Sequence, residues 1–259
     1  MKMGAVAKKE STELQVAEPQ LIQGEQIDAR DVLLPSLYLM QSNSEWVTNE
    51  VVKMGEIVKS TGQTVVAKRD EPLVIVPLAF NKTFRIVEQA GNAWVRNEAF
   101  DPGKADEWEF TENGKALKRV SCINVYAYLQ KELAAQDEAV AAAQKSGEMV
   151  DMSQMALPVM ITFRSTGYRA GKEVITHFAI AQKCKAEPYT GKLELSAIKQ
   201  TNDDGTFYTY QVKPHRGGQK LSAEQLTECH QWRQLMLANA VKVDMSGEGI
   251  SPAVESQEY

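Results

Sequence analysis

Along most of the chain, apolar residues recur at every second position in short runs bounded by Gly, Pro, Asn and Asp, which predicts strands joined by turns. Residues 51–68, "VVKMGEIVKSTGQTVVAK", read as a hairpin punctuated by Gly55 and "STGQ". Residues 72–88, "PLVIVPLAFNKTFRIVE", are rich in Val, Ile, Leu and Phe and predict a long strand bent at Pro77. "NAWVRNEAF" then pairs back after Gly91, and residues 101–117 carry enough Pro, Gly, Asp and charge to predict a loop. In 119–130, Val120 and Cys122 alternate with Ser121, Ile123 and Val125, a strand pattern. Residues 156–164, "ALPVMITFR", read as another. Residues 187–200 alternate Leu193, Leu195 and Ala197 with Lys192, Glu194 and Ser196. Asp204-Gly205 then turns the chain into a return strand with Tyr208, Tyr210 and Val212 on one face.

The period changes to that of a helix in three places. Residues 131–149 are rich in Ala, Glu and Gln, end at Gly147 and have a thin apolar face, so they predict an exposed inserted helix. In 165–183, Tyr168, Gly171, Ile175, Phe178 and Gln182 fall at steps of three and four, with Val174 and Ala181 widening the face. Helix fits better there than two strands, with Ser165 or Thr166 as its cap. In 220–243, Ser222 and Gln225 form a capping box, Leu221 and Leu226 a staple, and Leu226, Cys229, Trp232 or Arg233, Met236, Ala240 and Val243 a helical face. Residues 31–47 are apolar but broken by Pro35 and predict an irregular or short helical lead-in. Residues 1–30 read as a flexible arm and 244–259 as an acidic disordered tail.

These elements predict a β-rich α+β chain with a core over 31–219. Its 259 residues, 43% hydrophobic and 24% charged, suit a folded chain. There is no long apolar run for a membrane span and no apolar leader, and the three cysteines form no pair-like spacing, so a cytoplasmic, reduced setting is expected. The net charge of −5 excludes a uniformly basic, nucleic-acid-coating protein. The distribution matters more than the sum. Lys and Arg outnumber Asp and Glu ten to five between Met160 and Lys220, whereas Val243–Tyr259 holds four carboxylates and no cation.

Strands, an inserted helix, strand, helix, strand, hairpin and strand: this order resembles an oligonucleotide-binding (OB) Greek-key barrel, whose pattern sets a helix between the third and fourth strands. In that reading "RSTGYRAGKEVITHFAIAQK" is the helix and "QTNDDGTFY" the last loop. The runs "FRSTGYRAGKEV" and "PYTGKLELSAIKQTNDDGTFYTYQV" resemble a group of bacteriophage proteins, as does "LLPSLYLMQSNSEWV" with "LVIVPLAFNKTFRIV" on the N-terminal side. More loosely, the chain resembles phage single-stranded DNA-binding proteins, built from a barrel, an inserted helix and an acidic tail ending in an aromatic. The resemblance implies single-stranded DNA as partner, in replication or recombination within the bacterial host cytoplasm. It also implies replication or recombination proteins as tail partners, and it leaves self-association open. The tail "VDMSGEGISPAVESQEY" is less acidic than that family's pattern, which puts partner recruitment by the tail in question.

Sequence-independent strand binding needs cations along the phosphates and flat rings for the bases, stacking contributing about 1–3 kcal/mol per base. The stacking candidates are Trp94, Tyr126, Tyr128, Tyr168, Phe207, Tyr208 and Tyr210, with Tyr189 beside them. The phosphate candidates are Lys82, Arg85, Arg96, Arg164, Arg169, Lys172, Lys192 and Lys199, with Arg119 among further basic positions. An enzyme is not expected. His177, His215 and His230 stand in no metal or catalytic spacing, and "PHRGGQK" lacks the strand-to-helix context of a phosphate loop, so no cofactor or metal is expected either. The alternative is a phage protein–protein interaction module, a recombination accessory or host-enzyme inhibitor, using the same surface.

Overall fold

A computed structural model describes residues 33–203, 205–217, 220–238 and 242–243. In chain order its elements are β1 (Leu33–Leu34), β2 (Ser36–Leu39), α1 (Glu45–Thr48), β3 (Ile57–Lys59), β4 (Thr64–Ala67), β5 (Leu73–Glu88), β6 (Trp94–Ala99) and β7 (Glu109–Glu112). There follow β8 (Lys115–Leu129), α2 (Gln130–Ser146), β9 (Val159–Arg164), α3 (Tyr168–Lys183), β10 (Leu193–Asn202), β11 (Gly205–Pro214), α4 (Ala223–Leu237) and β12 (Lys242–Val243). Ten strands share one mixed sheet in the order β11-β10-β5-β8-β9-β2-β3-β4, with β6 added to β5 and β7 to β8. β1 and β12 form a separate parallel pair. The chain is therefore a β-rich α+β protein.

The centre of the sheet is the antiparallel ladder of β5 and β8, running from Ile75 opposite Leu129 to Glu88 opposite Leu117. β5 forms because its β-branched and aromatic residues suit a pleated surface covered on both sides. Its register slips between Pro77 and Ala79, where proline has no N–H to give to the ladder. Opposed residues share a face, so the ladder sorts side chains into two layers. One face carries Ile75, Ile123, Val125, Ile161 and Phe163 and is closed by Ala170 and Val174 of α3 and by Leu193, Leu195 and Tyr210. The other carries Val76, Leu78, Tyr126, Tyr128 and Met160, under Leu133 of α2 and Cys229 and Met236 of α4. Each such side chain contributes about 1.5–3 kcal/mol on full burial.

The helices end and start largely as their sequences require. Gly147 stops α2 in a left-handed conformation (φ 72°), and the Ser222–Gln225 capping box opens α4. α3 differs from expectation: neither Ser165 nor Thr166 caps it, its N-cap is Gly167, which offers no side-chain bond, and Tyr168 N–H donates to Ser165 O in a short 3-10 turn before the helix. Ser165 instead sits at φ 48°, turning the end of β9 directly into the helix.

Other expectations are corrected. The lead-in carries the short helix α1, as expected, but Ser36–Leu39 is strand, because β2 finds edges on both β9 and β3. Residues 101–117 are not all loop: Glu109–Glu112 pairs with β8 as β7. β8 starts at Lys115 and α4 ends at Leu237. Leu226, expected on the buried face of α4, is 36% exposed, while Gln225 is buried beside Leu133 and Asp137. The sheet has ten strands rather than five because residues 33–67 extend it beyond β9 and the β6–β7 ribbon extends β5 and β8. Its path runs from β11 to β4, open among the described residues. The arm over 1–30 and the tail over 244–259 lie outside the described residues.

Gly171 allows α3 to lie close on the sheet: a Cβ there would stand 2.8 Å from Phe163 Cβ and 2.9 Å from Ile123 Cδ1. Alanine would gain about 1 kcal/mol in helix propensity. The clash is with atoms near the backbone of a packed core, where overpacking costs about 1–3 kcal/mol. Gly171→Ala is therefore expected to lower the midpoint of urea unfolding, and an unchanged or raised midpoint would show that α3 does not pack this tightly.

Candidate nucleic-acid interface

On the face that α2 and α4 cover, the apolar layer stops after Ala79, Tyr126 and Met160. The next opposed rows are polar. Asn81, Asn124 and Thr162 stand opposite one another on β5, β8 and β9; then Thr83, Cys122 and Arg164; then Arg85 opposite Val120. Asn124 ties the first rows together. Its Nδ2 donates to Asn81 Oδ1 (2.9 Å) and Thr83 Oγ1 (3.1 Å), and its Oδ1 accepts from Thr162 Oγ1 (2.9 Å). Asn124 is buried, whereas Asn81, Thr83, Thr162, Arg85 and Arg164 are half-exposed. The result is a polar band across three strands with two guanidinium groups at one end.

Electrostatics at that end are unfavourable to the cations themselves. Burial, and then the charge of Arg164, lower the pKa of Arg85 to about 10, while Cys122 and Tyr38 act in the opposite sense. Burial likewise lowers Arg164. Burial raises the Cys122 thiol, with Arg164 and Arg85 pulling it back. Two cations thus share a partly desolvated face, where burial disfavours their charged forms.

The predicted site residues separate on this frame. Arg85 and Arg164 come together, with Tyr38 coupled to both. Lys82 is exposed and points to the face opposite Arg85, its Nζ 5.2 Å from the Phe100 ring. Arg96 is held by Glu112 (2.6 Å) and Glu98 (2.6 Å), and Arg119 lies 3.6 Å from Glu98 and stacks 4.0 Å from the Phe110 ring. Arg169 and Lys172 ride on the first turns of α3, Lys172 Nζ 5.4 Å from the half-buried Tyr168 ring. Lys199 is exposed on β10, and the pKa of Lys192 is lowered by burial.

Most of the expected stacking rings are core. Tyr128 is fully buried and donates to Glu228 Oε1 (2.5 Å), and Tyr126 packs beside it under α4 and α2. Tyr210 meets Phe163 edge-on at 5.3 Å inside the other core, and Tyr189 is buried near His230. Tyr208 is buried against Gly55, where a Cβ would be 2.8 Å from its ring. These rings are corrected from base platforms to packing residues: the sheet curls so that β11 turns its tyrosines inward. Trp94, Phe207 and Tyr38 keep partial exposure. Tyr38, Asn81, Thr83, Asn124 and Thr162 escaped the sequence reading. The polar step of two at Asn81, Thr83 and Arg85 within an apolar strand was the available signal.

A second feature adjoins the band. β2 and β9 pair in parallel only at Ser36/Met160 and Leu37/Ile161 and then part. The chain after β2 turns to β11 instead, where Gln41 Nε2 donates to Tyr208 O (2.8 Å) and the Tyr208 N–H donates to Gln41 Oε1 (3.0 Å). A cleft of about 560 Å³ opens between the parted strands, the N-terminus of α3 and β11, with Arg164 on its wall.

Among the described residues no cluster of His, Cys, Asp or Glu is arranged for a metal, and no helix is long and apolar enough to cross a membrane. Because the lowered pKa of Arg85 makes its charged form costly in the folded state, that cost is fully present at neutral pH and is relieved only as pH rises through about 10. Arg85→Gln is therefore expected to raise the thermal midpoint at pH 7; a fall would show that the arginine serves the fold.

Comparison with known proteins gives one relationship. No curated protein and no solved structure matches the chain. The family model described as Pam3 phage gp34-like protein matches residues 6–225. That span takes in the whole polar band, the parted strands and α3, and the chain belongs to the Pam3 phage gp34-like protein family.

Proposed function

We propose that this phage-family protein binds single-stranded DNA with little sequence preference, during phage replication or recombination, and is not an enzyme. The observation that carries the reading is the pairing of Arg85 with Arg164 on a half-exposed, otherwise neutral polar sheet face, in a chain whose net charge is −5. Cations grouped on a sheet face attract a phosphate backbone, and neutral amides and hydroxyls beside them accept or donate without selecting a base.

The topology supports an OB-type reading of the site. β5, β8, β9, β10 and β11 stand in the order β11-β10-β5-β8-β9, and α3 joins β9 to β10. In an OB barrel the second and third strands and the loops after the first and fourth carry the oligonucleotide. Here those strands correspond to β8 and β9, on which Cys122, Asn124, Thr162 and Arg164 lie. Tyr38, Trp94 and Phe207 supply the exposed ring edges for stacking, in place of the buried tyrosines. The tail remains a proposed contact for other replication or recombination proteins.

Fluorescence titration with oligo-dT at several salt concentrations tests the reading. Affinity is expected to fall linearly on a log–log salt plot. Arg85→Gln and Arg164→Gln should each weaken binding and flatten the slope by about 0.7, one single-strand phosphate contact. Arg96→Gln, whose cation is already held by Glu98 and Glu112, should leave the slope unchanged. Undetectable binding at low salt would instead favour an interaction module that recognises protein.

A further inference from the structure

We infer that the cleft between the parted ends of β2 and β9 binds the phosphate group of a nucleotide, an inference that rests on the nucleic-acid reading only for the source of that phosphate. Four observations converge on it. The first is the position of α3. It is a 16-residue helix whose N-terminus opens on the cleft through Ser165, Thr166 and Gly167. The leading amides of any helix lack intrahelical partners and carry the positive end of its dipole. In most helices a side chain satisfies some of them; here the N-cap is Gly167, which has none to give, and of the leading amides Tyr168 N–H is taken by Ser165 O. An uncapped helix start facing a cavity is suited to an anion.

The second observation is independent of the helix. Two hydroxyls on the β11 side of the cleft, Thr209 Oγ1 and Tyr210 OH, are buried and have no hydrogen-bond partner among the described residues. Thr209 is only 6% exposed and Tyr210 9%. Thr209 Oγ1 faces the helix start: a Cβ on Gly167 would lie 3.9 Å from it. A buried hydroxyl without a partner costs about 1–3 kcal/mol. Thr209 Oγ1 beside the helix start, with Tyr210 OH also among the cleft's lining residues, is a cost that a ligand oxygen would remove.

The third observation is charge. Arg164 lines the cleft, and none of the described lining residues is acidic. Helix amides, hydroxyls and a guanidinium are all donors, so the complementary ligand is an acceptor with several oxygens and negative charge. A phosphate fits that description better than a carboxylate, because it offers oxygens in three directions. The fourth is size. At about 560 Å³ the cleft is larger than a phosphate ion needs, and Phe207 and Tyr38 line its apolar part. The space suits a whole nucleotide unit, phosphate toward α3 and base toward the rings. Arg164 belongs both to this cleft and to the polar band, so a strand crossing the band would lead into it.

Three sources share this chemistry: the 5′-terminal phosphate of a strand, an internal phosphodiester and a free nucleotide. The probes are 5′-phosphorylated oligo-dT, 5′-hydroxyl oligo-dT, thymidine monophosphate and inorganic phosphate, tested on wild type, Thr209→Val and Tyr210→Phe. In chloride, Thr209→Val should unfold at the same or a higher temperature, since the lost hydroxyl has no partner. Phosphate at matched ionic strength should raise the midpoint of wild type and not that of Thr209→Val. A tighter grip on 5′-phosphorylated than on 5′-hydroxyl oligo-dT, abolished in Thr209→Val, supports a terminal phosphate. Equal binding of both, weakened about tenfold by the variant, supports an internal one. Stabilisation by phosphate or thymidine monophosphate without oligonucleotide binding supports the cleft as a nucleotide site while removing the single-strand reading. The inference is overturned if phosphate protects no better than chloride and both variants bind every probe as wild type does. In that case persisting oligo-dT binding leaves the single-strand reading standing alone. A lower midpoint of Thr209→Val in chloride overturns it too, because the hydroxyl would then serve the fold.

Discussion

The ladder between β5 and β8 is the constraint on which the other parts depend. Once Ile75 is set opposite Leu129 and the bulge at Pro77 is fixed, every later residue of both strands is committed to one face. α3 covers one face around Ile123 and Phe163, and farther along that face Phe84, Ile86 and Leu117 pack with Val95, Phe100 and Phe110. α2 and α4 close only part of the other, and beyond Tyr126 and Met160 the sequence turns polar on that face alone. A shift of one residue would turn Asn81, Thr83 and Arg85 to the apolar face and Phe84 and Ile123 to the polar one. Fold and candidate site are therefore specified by the same register.

The polar band is held by neutral groups and charged at one end. Asn124 satisfies both ends of its amide across β5 and β9, with each such bond contributing about 0.5–1.5 kcal/mol net. That network keeps the strands in line next to two cations that repel each other. Glu98 and Glu112 hold Arg96. Arg85 and Arg164 lie on adjacent parts of one face, and burial, then the charge of Arg164, lower the pKa of Arg85.

The two ends of α4 and α3 show contrasting solutions to the same problem. α4 begins with a reciprocal capping box that its sequence encodes locally. α3 begins with Gly167 and a left-handed Ser165, with no side-chain cap from its N-cap position, beside a cleft that also holds two hydroxyls without a partner among the described residues. The start of α3 and these β11 hydroxyls thus meet in one place, although they are more than forty residues apart in the chain.

What the sequence determined by itself was local. Period-two runs marked the strands over 72–88 and 119–130, and period 3.6 marked α2, α3 and α4. The stop at Gly147 and the Ser222 cap were also legible, because each depends on residues within a few positions of one another. Partners were not legible. Ser36–Leu39 became strand because distant edges on β9 and β3 accept it, and 109–112 because β8 does. The tyrosines of β8 and β11 carried no mark in sequence to separate a platform from a core residue; the curl of the sheet and the helices above it decided that they are buried. Which groups surround a cation depends in the same way on what the fold brings near, so only the tertiary structure could set Arg96 beside Glu98 and Glu112 and place Arg85 and Arg164 on one face of the sheet.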